Sequence, residues 1–356
     1  MKGKETTLVK HRDSIYSEQI TNIRALAILI VVFGHSIILY SSAWNLYSTI
    51  NKVPVLDYVK DIINLIQMPL FFSISGYLFM YSHNKHRGII YLIKDKAYRL
   101  LLPYLLITFI YMVPIKVIIK YPGYVGKKLD DLIWNLLTGQ DMGHLWFLLS
   151  LYIIFIISEV TLIIEERIFA GEMKSAVVLF VTAIILYYFR GRLSMDYAPL
   201  RSALTYMIWF TLGYLLCTFQ YLLKRMYEIV AWKYCSIVIS NILLILCSYF
   251  NISESLEICC VGLWIINIYG VFPAKTRKGI QTLSEDSFGI YLFHSPLIYF
   301  TFTFMPNVSP IVVVLVNFFV FGGLAILITE VVRKIGLLFV IGEKGNRKIP
   351  VKYKNG

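Results

Sequence analysis

IRALAILIVVFGHSI, residues 23–37, is apolar along most of its length, yet it opens beside Arg24 and carries His35 near its end. A run this apolar is a candidate membrane crossing, because about 20 such residues in a helix cover the roughly 30 Å of a hydrocarbon core. Applied outward from here, the same test finds ten windows: 23–41, 62–81, 100–119, 145–164, 175–189, 203–223, 234–250, 256–273, 287–304 and 310–332. Two of them are less regular, 175–189 being short and 256–273 being interrupted by Glu257. The whole 356-residue chain agrees, with 58% hydrophobic and 15% charged residues. That composition excludes an ordinary soluble domain. It predicts an all-α, polytopic membrane helix bundle.

Positive charge orients the bundle, because Lys and Arg are enriched in cytoplasmic connections. With the N-terminus inside, the cytoplasmic segments hold 24 Lys and Arg and the outer loops 8. Both termini are therefore expected in the cytoplasm. The expected division is a polar tail over 1–22, one transmembrane domain over 23–332 and a basic tail over 333–356. The net charge of +13 then follows from topology and attraction to an anionic inner leaflet, and no nucleic-acid partner is needed to explain it. The first apolar run has no small-residue cleavage site after it and reads as an uncleaved anchor. Cys217, Cys235, Cys247, Cys259 and Cys260 lie in or beside apolar windows without C-x-x-C spacing. They read as packing residues, not as a disulfide framework or a metal site.

The two polar residues of the opening stretch share a helix face. Eleven steps of 100° end about 20° past three full turns, and the rise between them is about 16 Å. Arg24 then belongs near the cytoplasmic boundary, where an arginine can snorkel or mark orientation. His35 belongs near the midplane, where an ionisable residue is costly and faces a bundle interior or a wet cavity. It has two readings on this ground: an imidazole bonded to a neighbouring helix, or a working group.

Four stretches carry a resemblance. RALAILIVVFGH (24–35), MPLFFSISGYLF (68–79), HLWFLLSLYIIF (144–155) and SFGIYLFHSPLI (287–298) resemble, in order, the signature segments of the acyltransferase-3 family of integral membrane proteins. The resemblance spans roughly residues 20–332. It implies transfer of an acyl group, usually acetyl, from cytoplasmic acyl-CoA to a carbohydrate hydroxyl. In bacterial members the acceptor is a surface polysaccharide or lipid-linked precursor, which implies a multi-pass protein of the plasma (inner) membrane.

The residues suit that chemistry. A neutral imidazole can take a hydroxyl proton near pH 7, so His35 is the candidate base, with a transient acyl carrier as the alternative. Arg24, as a guanidinium at the inner boundary, can hold the phosphates of CoA in a fork. KDKAYRLLLPY (94–104) resembles the family's basic pair before a proline, with Lys96 in place of the first arginine and Arg99 as the second. These two are candidate donor ligands or inner-leaflet anchors. Glu159 is a candidate substrate-site residue as an orienting partner for an arginine, or part of the acidic helix end with Glu165 and Glu166; Trp146 and Tyr291 are candidate acceptor contacts by stacking on a sugar ring, or interfacial and packing aromatics. Ser75 and Gly76 read as a close helix-packing site. His144 reads as a solvated outer-loop residue, and His294 as packing or catalysis. A transporter or flippase for glycans is the rival class, with His35 as a proton site. The chain shows neither an inverted repeat nor a matching pair of broken helices to support it.

Overall fold

The computed structural model describes residues 2–43, 52–83, 88–141, 143–168, 172–193, 198–250 and 252–345, with side chains from Glu18 onward except at 83, 129, 168 and 172–174. Ten long helices carry the fold: α1 (Lys2–Ser36), α2 (Pro54–His83), α3 (Ile89–Ile118), α4 (Trp146–Ile168), α5 (Glu172–Phe189), α6 (Ala198–Thr218), α7 (Val230–Phe250), α8 (Glu254–Val271), α9 (Ser287–Phe304) and α10 (Pro310–Lys334). Among the described residues, nine of these are long and apolar enough to cross a membrane, α9 being the exception. The protein is a multi-pass helical membrane bundle. The windows at 175–189 and 256–273 both become helices, α5 and α8. All five cysteines are free thiols, with Cys217, Cys247 and Cys260 buried.

The opening stretch ends short of its expected span. α1 enters the window without a break and stops at Ser36, short of residue 41; a 3₁₀ turn, Ile38–Tyr40, continues the chain. Apolar patterning does not mark this stop, because the residues beyond it are also apolar. The helix end is closed from elsewhere: Ser36 Oγ donates back to Val32 O at 2.7 Å, and Asn317 Nδ2 on α10 donates to Ser36 O at 3.4 Å. A helix end inside protein needs such partners for its last carbonyls. His35 thereby stands at the tip of α1.

α2 and α6 form the tightest pairing. A Cβ on Gly76 would fall 1.8 Å from Phe210 O, and one on Gly213 would fall 1.7 Å from Ser73 O. Each helix thus offers a glycine to the other's backbone, the contact mode that substitutes for hydrophobic drive inside lipid. The expected packing role of Gly76 is met. α3 is drawn out by two π-helical segments, Ala97–Leu101 and Ile107–Met112, each ending two residues before a proline, Pro103 and Pro114. A proline has no N–H to give to the preceding turn, and the wider π turn accommodates that loss.

α1 and α9 lie side by side and run in the same direction. Arg24 on α1 bonds to Ser287 at the start of α9, and His35 bonds to His294 at its middle. At the Arg24 end, Asn22 Nδ2 donates to Pro273 O and Lys275 O, and Arg333 pairs with Asp286 at 2.6 Å. The chain past α10 folds back over the same end. There Glu343 pairs with Arg333 at 2.8 Å, and Lys344 bonds to Asp95 at 2.6 Å.

Candidate active site

The site is organised by one proline. Pro296 inside α9 has no N–H, so the carbonyl four residues earlier, Leu292 O, loses its helical donor. His144 supplies a replacement, its Nε2–H donating to Leu292 O at 3.2 Å. The neighbouring Phe293 O takes the Tyr111 hydroxyl of α3 at 3.2 Å. The hydroxyl of Tyr291 donates to His144 O, which closes the link between α9 and the start of α4. His144 is 7% exposed. It is therefore not the solvated loop residue that the sequence suggested: the freed carbonyl draws the 3₁₀ turn Gly143–Leu145 into the bundle.

The histidine tautomers follow from their partners. His294 Nδ1 faces Ile290 O at 2.7 Å, an acceptor only, so Nδ1 carries the hydrogen and Nε2 is bare. His35 Nδ1 lies 2.8 Å from that Nε2 and must be the donor. His35 Nε2 then keeps a free lone pair at the far side of its ring. The arrangement is a hydrogen-bonded chain, Ile290 O to His294 to His35. His294 is fully buried and His35 only partly. The His144 ring stands 5.9 Å from that of His294, and its Nδ1 is buried with no hydrogen-bond partner.

A second missed residue lies against the tip of α1. A Cβ on Gly34 would meet Ile63 at 2.6 Å, Gln67 Oε1 at 2.9 Å and Lys60 Nζ at 3.3 Å. Lys60, counted at the sequence level as part of an outer loop, is inside α2 and 2% exposed. The helix begins at Pro54, well before its apolar window, so the lysine is carried in beside His35's neighbour. The signal in the sequence was the glycine before the histidine.

The remaining sequence candidates fall into two groups. At the Arg24 end, Arg24 Nη2 donates to Ser287 Oγ at 3.0 Å. Arg99 lies 3.5 Å from Asp95 with its side chain 32% exposed. Lys96 places its ammonium 3.9 Å over the ring of Phe155, one turn before Glu159, which is 3% exposed. Around the histidines, Tyr291 is buried and bonded to His144, while Trp146, two residues past His144, packs 5.1 Å from Tyr206 and stays partly exposed. Arg24 and His35 are thus brought onto one interface, with α9, but remain three turns apart along α1.

The acyltransferase-3 family model, described as an acyltransferase domain, matches residues 17–331. No curated protein and no solved structure matches the chain.

Proposed function

The chain belongs to the acyltransferase-3 family, and from that premise we propose that it is a membrane O-acyltransferase moving an acetyl group from cytoplasmic acetyl-CoA to a carbohydrate hydroxyl. The acceptor in this reading is a surface polysaccharide or its lipid-linked precursor, and the setting is a bacterial plasma membrane. The observation that carries the reading is the hydrogen bond of His35 Nδ1 to His294 Nε2. A neutral hydrogen bond nets only about 0.5–1.5 kcal/mol, too little to account for three imidazoles gathered inside a membrane bundle. An intramembrane ionisable group is by default a functional one.

In the reaction, His35 Nε2 takes the proton of the acceptor hydroxyl as its oxygen attacks the thioester carbonyl carbon. The tetrahedral intermediate collapses, the C–S bond breaks, and the departing thiolate takes the proton back from His35. His294 fixes the ring during both steps through Nδ1–H···Nε2, in the way an orienting partner serves a catalytic base. Arg24 holds donor phosphate at the opposite end of α1, with Lys96 and Arg99 adding positive charge near that end. Tyr291 and Glu159 act as positioning residues, since both are buried. Trp146 keeps ring surface for a sugar.

The test is acetyl-CoA binding and slow hydrolysis by protein in nanodiscs. Hydrolysis should fall at least 100-fold in His35→Ala, and donor binding should weaken about tenfold in Arg24→Ala. A folded protein that binds no acyl-CoA would overturn the reading in favour of glycan transport, with His35 then assayed in proton flux.

A further inference from the structure

At the end of α3 away from Arg99, the helix closes in a Schellman turn: Tyr121 N donates to Lys116 O at 2.8 Å and Lys120 N to Val117 O at 3.1 Å. The residue at the left-handed position of such a turn is usually glycine. Here it is Lys120, with φ 53°, the one non-glycine residue of positive φ among those described. The turn folds Tyr121 and Tyr124 back over Lys116, whose ammonium stands 4.8 Å from each ring centroid. A cavity of about 370 Å³ opens here, lined by Lys116, Lys120, Tyr121, Tyr124 and Lys127 among others. That volume lies in the range of small-molecule sites, about 300–1,000 Å³.

Three features point to a ligand. Lys116 is a lysine at 1% exposure, held between the two tyrosine rings and Asp141, which lies at 3.5 Å with 29% of its side chain exposed and so leaves room for a further anion. The Tyr124 hydroxyl is buried in a residue 7% exposed and faces the Asp141 carboxylate. Burial first, and the Asp141 carboxylate second, push its phenol far above the usual range, so it remains a neutral donor. Three lysines against one carboxylate leave the cavity cationic, and the tyrosine rings give it flat apolar walls. Sugar C–H faces stack on such rings, and lysines select an anionic substituent.

Lys116 links the cavity lining to the turn that carries His144. A Cβ on Gly143 would stand 4.0 Å from Lys116 Nζ and 3.8 Å from the Tyr299 hydroxyl, and the next residue is His144. The His144 ring in turn packs 5.9 Å from that of His294, which bonds to His35. We infer that this cavity binds the acceptor, and that the acceptor is an acidic sugar, one carrying a carboxylate or a phosphate monoester. This rests on the O-acyltransferase reading for the word acceptor, and the sugar site stands or falls separately from it.

The experiment is ligand-observed NMR titration of nanodisc-embedded protein with glucuronate, glucose 6-phosphate, glucose and inorganic phosphate, with acetyl-CoA titrated in parallel. Either acidic hexose should bind at least tenfold more tightly than glucose and than inorganic phosphate, and the better of the two names the anion. The preference should collapse in Lys116→Met and fall about threefold to tenfold in Tyr124→Phe, which removes only the hydroxyl and spares the packing. Lys127→Gln at the rim should weaken both acidic ligands about twofold. Equal binding of glucose and the acidic hexoses, equal binding of inorganic phosphate, or a preference retained in Tyr124→Phe and Lys127→Gln together would overturn the inference. Acidic-sugar binding without acetyl-CoA binding would leave the site standing and remove the acyltransferase reading.

Discussion

α9 and α7 are both helices of a membrane bundle, and they are opposites. α9 buries fourteen of its eighteen residues, including His294, Ser295 and Pro296. α7 buries Ser236, Ser240, Leu244 and Cys247 among twenty-one residues and turns Val238, Ile239, Ile242 and Ile245 outward. Burial, not apolarity, separates the two helices. The helix wrapped by its neighbours can afford polar side chains, and that is where the chemistry gathers.

This contrast can be broken by substitution, beginning where the largest loss is expected. Gly213→Leu drives a side chain into the Ser73 carbonyl and should abolish monodisperse protein on size exclusion; Gly213→Ala already overpacks by about 1–3 kcal/mol. In α9, His294→Ala removes the acceptor that orients His35 and should lower acetyl-CoA turnover about 10–100-fold with donor affinity unchanged, as losses of orienting partners do. A loss in affinity alone would place His294 outside the reaction. Pro296→Ala restores a donor to Leu292 O and competes with His144; turnover should drop a few-fold, read beside a melting temperature that stays level or rises. Ile242→Ala on α7, 50% exposed, should leave turnover within twofold. A tenfold fall there would mean that α7 is not the passive helix its contacts make it.

The bundle was legible in the sequence because lipid imposes a length and an apolarity that are local properties. Its ten windows all became helices, including 287–304 with its histidine and proline. The pairing of Arg24 and His35 on one face was legible for the same reason, since helical periodicity is local. What could not be read was contact across the chain. His144 looks like a loop residue until Pro296, far downstream, frees a carbonyl for it. Lys60 looks like an outer charge until α2 extends past its apolar window and packs on Gly34. Lys116 sits inside an apolar window, and only the Schellman turn after it shows why an ammonium is kept there.

The bond between His35 and His294 joins residues 259 positions apart. Chains are synthesised at about 5–20 residues per second, so the first histidine waits about 13–50 s for its partner. Throughout that interval α1 and the helices following it occupy the membrane without the completed histidine pair. In the proposed mechanism an unfinished or truncated chain is thus inert toward thioester, and the reaction waits for the arrival of the ninth helix.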